Sequence, residues 1–152
     1  MDKIIFLDIK YKNTIKAILN IQKKAYSKEA EIINYKKIPN LFDTEEKIQN
    51  SEETFIGYYR AELLLGFLSY KIFSKTLDIH RLAVNPPFFR QGIAEKLLKH
   101  LEKTIKGIKR IIVRTGKGNF PAKNLYIKYG FKETEEIKID ESFSLILFSK
   151  EI

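Results

Sequence analysis

A chain of 152 residues can bury one core but not two comfortable ones, and its 44% hydrophobic and 31% charged residues exclude long disorder. One globular domain over residues 1–152 is therefore expected. The absence of cysteine excludes disulfides, thiolate metal sites and a cysteine nucleophile, and no apolar run approaches a membrane span or a signal-peptide core, so a soluble, cytoplasmic protein is expected. A net charge of +9 would suit nucleic acid or a polyphosphate ligand, but the lysines are spread along the chain and no nucleic-acid-binding motif accompanies them. No nucleic-acid partner is expected.

Ile4 to Ile9 reads as a first strand. Ile15, Ile18, Leu19, Ile21, Ala25 and Tyr26 recur at helical spacing over Thr14 to Tyr26. Ser27 is placed to cap a further short helical piece carrying Glu29, Glu31, Tyr35 and Lys36, which Pro39 and Asn40 break. Asp43 or Thr44 caps a second helix over Glu45 to Asn50. Thr54 to Tyr59 and Leu63 to Phe73, joined by Arg60, Ala61 and Glu62, predict an antiparallel hairpin.

Leu77 to Val84 follows as a partly buried strand in which Leu77, Ile79 and Arg81 alternate with Asp78, His80 and Leu82. Asn85, Pro86 and Pro87 stop it, because proline has no amide to donate and holds the preceding residue extended. A helix from about Gly92 sets Ile93, Ala94, Leu97, Leu98, Leu101 and Ile105 on one face, and Gly107 ends it. Arg110 to Thr115 is a short apolar strand of the sheet's middle. Pro121 suits the first turn of a last helix whose Ala122, Leu125, Tyr126 and Tyr129 share a face until Gly130. Phe131 to Ile137 and Phe143 to Ser149 close the sheet as a hairpin, giving the order β-α-α-β-β-β-α-β-α-β-β.

Between the third helix and the strand before it, Phe89, Arg90, Gln91, Gly92, Ile93, Ala94 and Glu95 bring successive backbone amides to a helix start, where an anion is favoured. Gly92 lets the backbone approach a ligand and Ala94 keeps the next contact small. VNPPFFRQGIAEKLL resembles the acetyl-coenzyme A loop of the GCN5-related N-acetyltransferases, Arg/Gln-x-x-Gly-x-Gly/Ala, with Gly92 and Ala94 on the two small positions. Phe89 stands where that family usually has Arg or Gln, which leaves main-chain amides, with Arg90 beside them, to hold a pyrophosphate. A second stretch, NFPAKNLYIKYGF (Asn119 to Phe131), resembles the family's Asn-x-x-Ala-x-x-Leu-Tyr-x-x-x-Gly-Phe element, with every named position filled.

The resemblance covers most of the chain. It implies an α/β (α+β) fold, a mixed, mostly antiparallel central sheet of about seven strands flanked by helices. It implies acetyl-coenzyme A as cofactor and direct transfer of the acetyl group to a primary amine of a small molecule or peptide. Main-chain groups of Leu82, Ala83 and Val84 would hold the pantetheine arm, residues 90–95 the phosphates, and Asn119 would also contact the cofactor. Tyr126 falls on the tyrosine that in many members protonates the leaving thiolate.

Asp78 and His80, two apart on one strand, share a side and occupy sites where some members place a general base; ordered water is the third possibility. Glu29, Glu31 and Glu62 would border the acceptor groove and attract a cationic amine. The competing expectation is a coenzyme A-binding or nucleic-acid-binding module without transferase activity. No metal is expected, and a homodimer is compatible with the pattern.

Overall fold

In the computed structural model, which describes residues Met1–Ile152, strand β1 (Asp2–Leu7) precedes helices α1 (Lys12–Ile33) and α2 (Glu45–Gln49). Strands β2 (Thr54–Arg60), β3 (Leu63–Phe73) and β4 (Thr76–Val84) then form a meander, and a 3-10 turn over Pro86–Phe88 leads to α3 (Ile93–Thr104). The chain finishes with β5 (Arg110–Gly116), α4 (Phe120–Lys128) and the hairpin of β6 (Lys132–Asp140) and β7 (Phe143–Glu151). The elements follow the expected order. The strands make one seven-stranded sheet, β1-β2-β3-β4-β5-β7-β6, in which only β4 and β5 run parallel.

One apolar cluster fills each face of the sheet. On the first, α3 buries Ile93, Leu97, Leu98 and Leu101 against Ile56, Leu65, Leu77 and Ile79, and α4 adds Tyr126. Each fully buried aliphatic side chain contributes roughly 1.5–3 kcal/mol, so α3 is anchored despite its charged outer face. On the second face, Ile15, Ile18 and Ile21 of α1 pack with Ile48 of α2 on Phe55, Phe67 and Ala83.

Helix α1 departs from the sequence reading. It is one continuous helix of 22 residues, closed by Asn34 in the left-handed conformation (φ 55°), and Ser27 lies inside it instead of capping a second piece. A serine is only a weak helix breaker, and here its solvent-facing position leaves the apolar face intact. Thr44, not Asp43, caps α2, its hydroxyl accepting from the Lys47 amide. Helix α3 ends at Thr104 and is capped by Ile105, two residues before Gly107.

Strands β4 and β5 pair over only four positions, Thr76–Arg110 to Ile79–Val113, and then separate. A bulge causes this. Tyr70 faces Ile79 and Ser69 faces Arg81, so His80 is an extra residue on β4, and a bulged strand bends. The tail of β5 is meanwhile kept straight by its ladder to β7, as far as Gly116 opposite Leu145.

The same bulge corrects the alternation of β4. Past it, Leu82 and Val84 join Leu77 and Ile79 on the α3 face, while Arg81 turns to the α1 face; the sequence alternation instead sets Arg81 on one side with Leu77 and Ile79. Arg81 is buried with Asp43 and Glu53: Nη1 donates to the Asp43 carboxylate and to Gln22 Oε1 (3.1 Å), and Nε donates to Glu53 (2.9 Å). Gln22 in turn donates to the Asn40 carbonyl (2.7 Å) and to Asp43 (2.9 Å). The network fastens residues 40–43 to α1 and β4.

Candidate active site

The loop into α3 holds two residues in the left-handed region, Arg90 at φ 64° and Gly92 at φ 75°. Such alternation turns successive amides to one side. The first intrahelical bond is donated by Lys96 to Gly92 (3.0 Å), and the six amides of Arg90 to Glu95 donate to no group of the chain. A Cβ built on Gly92 would meet nothing within 4 Å. Open space in front of aligned amides and a helix N-terminus fits a phosphate group.

That loop borders a cleft of about 1010 Å³ running along the gap between β4 and β5. The separated strands leave a passage through the sheet, so the cleft is lined from both faces, by Tyr26 and Glu29 of α1 and by Asn119, Leu125 and Tyr126 around α4. Leu82, Ala83 and Val84 form its β4 wall, and Thr115 and Gly116 its β5 wall. Ile38, Pro39 and Asn40, next to the segment that Arg81 and Gln22 fasten, close one end.

Helix α1 supplies groups to both opened strand edges. The Tyr26 hydroxyl lies toward the Leu82 amide, and the Glu29 carboxylate, one turn on, lies toward the Gly116 amide and the Asn119 side chain. Burial raises the Glu29 pKa above the ordinary carboxylate range. Tyr126 is 4% exposed, and its hydroxyl has no hydrogen-bond partner in the chain. Burial first, then the nearby Tyr26 and Glu29, push its pKa well above that of a free phenol, so it stays protonated throughout the neutral range. Asn119 caps α4: its Oδ1 accepts from the Ala122 amide (3.3 Å) and its Nδ2 donates to Thr115 (3.2 Å).

Asp78 and His80 do come together, 3.6 Å apart, but His80 is also 3.3 Å from Glu53. Asp78 takes two bonds from the Arg114 guanidinium, at 3.0 and 3.2 Å. Asp78 and then Glu53 raise the His80 pKa from 6.5 to about 9. The imidazole is thus a cation at neutral pH and has no lone pair to take a proton. Burial works against Glu53, yet His80, Arg81 and Ser69 together hold it down to about 2.

These shifts set a pH dependence of folding. The His80 contribution is fully present below 6.5 and lost as pH rises to about 9, and that of Glu53 is present above 4.5 and lost as pH falls toward 2. Urea unfolding is expected to show stability falling between pH 6.5 and 9, a fall that His80→Gln removes. A C2-proton titration of His80 with a midpoint below 7 would contradict the ion-pair geometry.

Residues 15–131 match the model of the acetyltransferase (GNAT) family, which is well over half of the chain. The chain belongs to this family. It is 37% identical over 143 residues to the UPF0157 protein YqkA of Bacillus subtilis strain 168, an alignment covering 94% of this chain and 42% of that protein. The chain therefore spans less than half the length of that relative. Among solved structures, the fold is similar to that of the PaiA N-acetyltransferase of Thermoplasma acidophilum in complex with coenzyme A (TM-score 0.83, 20% identity, 100% of this chain and 99% of that one). It is likewise similar to the ribosomal-protein-S18-alanine N-acetyltransferase of Escherichia coli (TM-score 0.79, 19% identity, 100% and 94%).

Within this GNAT fold, every residue the sequence assigned to catalysis or cofactor binding lines the cleft except Gln91, whose side chain instead accepts from Arg60 (3.3 Å). The glutamates divide. Glu29 lines the cleft, whereas Glu31 pairs with Lys28 on the solvent side of α1 and Glu62 sits on the exposed β2–β3 turn. Two contributors escaped sequence reasoning. Tyr26 looks like one more member of an apolar stripe, and the only signal for Arg81 was a charge between Ile79 and Leu82 in a buried strand.

Proposed function

We propose that the protein is an N-acetyltransferase that carries the acetyl group of acetyl-coenzyme A to a primary amine by direct attack. The observation carrying this reading is the cleft itself, in which six unpartnered amides, a separated strand edge and a buried neutral phenol lie along one continuous groove. The PaiA and S18-alanine enzymes, both N-acetyltransferases, share the fold.

Acetyl-coenzyme A would supply an activated thioester. The amides of Arg90 to Glu95 hold its pyrophosphate, with Arg90 adding charge where the family usually carries it at position 89. The β4 edge at Leu82 to Val84 takes the pantetheine arm as an added strand would be taken. An amide of that edge faces the carbonyl oxygen as it gains charge.

Tyr126 donates to the sulfur as the carbon–sulfur bond breaks. Its raised pKa makes it a weaker acid than a free phenol. The proton moves only once thiolate charge has developed, and a thiolate in the same buried site is raised as well.

Tyr126→Phe should therefore lower kcat by about 10²-fold, with the calorimetric Kd for acetyl-coenzyme A unchanged. An unchanged kcat in single-turnover conditions would return Tyr126 to the apolar face of α4. Thiol release measured over a panel of amines tests the activity as a whole. Binding of acetyl-coenzyme A with no release for any amine would make the protein a coenzyme-binding module instead.

A further inference from the structure

We propose that Glu29 receives the acceptor as a primary ammonium ion and takes its first proton, an assignment that rests on the transferase reading above. Three carboxylates line the cleft, and two of them already have cations. Asp78 is held by Arg114 and His80, and Glu95 by Lys99 (3.5 Å) and Lys128 (3.8 Å). Glu29 has no lysine, arginine or histidine within ion-pair distance, although Lys28 and Arg114 line the same cleft. Taking a carboxylate out of water is costly unless it is paired and hydrogen-bonded. The Gly116 amide and the Asn119 side chain are the polar groups beside it; the missing partner is a cation.

The placement is built by the fold. Glu29 follows Tyr26 by one helical turn, so both face the strand gap. Gly116 makes room beneath it: a Cβ there would fall 3.3 Å from Glu29 Oε2 and 2.9 Å from Ile33 Cδ1. Tyr26 and Tyr126 face the carboxylate as neutral hydroxyls, and both remain protonated near neutral pH because burial raises them. His80, the sequence candidate, is held in its protonated form by its two carboxylates and offers the ammonium only like charge.

The chemistry balances. R–NH3+ gives one proton to Glu29, leaving the neutral amine and the carboxylic acid. The nitrogen lone pair then forms the carbon–nitrogen bond as the carbon–sulfur bond breaks, the sulfur takes the Tyr126 proton, and the second nitrogen proton restores Tyr126. Glu29 releases its proton to solvent, so one amide, one thiol and one proton leave.

The test uses the whole chain, with Glu29→Gln and two probe amines, n-butylamine and unblocked trialanine. At pH 7 the variant should lose about 10²-fold in kcat/KM for the amine it uses, with the calorimetric Kd for acetyl-coenzyme A unchanged. The ratio to wild type should narrow about tenfold per pH unit toward the amine's own pKa, as solution supplies the free amine in place of Glu29. His80 titrates in both proteins and cancels from that ratio, whereas a merely structural role for Glu29 would give a pH-independent loss. Equal kcat/KM in variant and wild type, or a loss that does not narrow with pH, overturns the assignment of Glu29 alone. Turnover of neither probe by a wild type that binds acetyl-coenzyme A overturns the primary-ammonium acceptor, and a wild type that binds no acetyl-coenzyme A overturns the transferase reading beneath it.

Discussion

A Gly92→Glu variant is expected to lose acetyl-coenzyme A binding, with a Kd at least about 10³-fold above that of wild type. Gly92 sits at φ 75°, and a side chain built there meets nothing of the protein within 4 Å. It therefore projects into the space that the six free amides face. A carboxylate about 4 Å from one phosphate charge is repelled by about 4 kcal/mol at an effective dielectric constant of 20, which is close to three decades in affinity. Left-handed strain on a non-glycine residue adds roughly 1–3 kcal/mol to the folded loop. Gly92→Ala carries the strain without the charge, so it should retain much more affinity than Gly92→Glu. Calorimetry of the three proteins separates the terms, and equal affinity for the glutamate variant would remove the phosphate from this loop.

Arg81→Met is expected to destabilise the fold by about 3–5 kcal/mol, because it leaves the buried Asp43 carboxylate without its cation and Glu53 with His80 alone. The Arg81 and Asp43 side chains are each 5% exposed and that of Glu53 is 7% exposed. None of them can turn to water without opening the fold around it. For a chain of this length the loss corresponds to a melting temperature lower by roughly 6–20 °C. Adding Asp43→Asn and Glu53→Gln to the methionine variant should recover part of the loss, since it removes the stranded charges. A change below about 1 kcal/mol in urea unfolding, the range of exposed ion pairs, would place Arg81 in solvent. Because the same side chain fastens residues 40–43, the variant should also raise the acceptor KM more than that for acetyl-coenzyme A.

The elements were legible in the sequence because each carries its own period and its own stop. Leu63 to Phe73 is an apolar run that only a strand covered on both faces would show, and its bounds are those observed. Pro86, Gly92 and the α3 leucines mark strand end, loop and helix start within ten residues or so. The two motifs work for a similar reason: Gly92 is required by a positive φ and Asn119 by a cap, and both are local demands on backbone geometry. Helix α1 was misread at Ser27 because a single weak breaker says nothing about the packing on the opposite face.

What the sequence determined by itself, then, was the order of elements, the family, and the positions of the amide loop and Tyr126, all of which depend on neighbours within a few residues. The tertiary structure alone decided the chemistry of the charged groups. His80 is a cation because Asp78 beside it and Glu53, distant in sequence and brought across the sheet, both face it, and Arg81 is buried because one bulge reverses the faces of β4. Glu29 meets the cleft because Gly116, 87 positions away along the chain, leaves space beneath it. A pKa depends on burial and on charges within a few ångströms, and those distances exist only once the chain has folded.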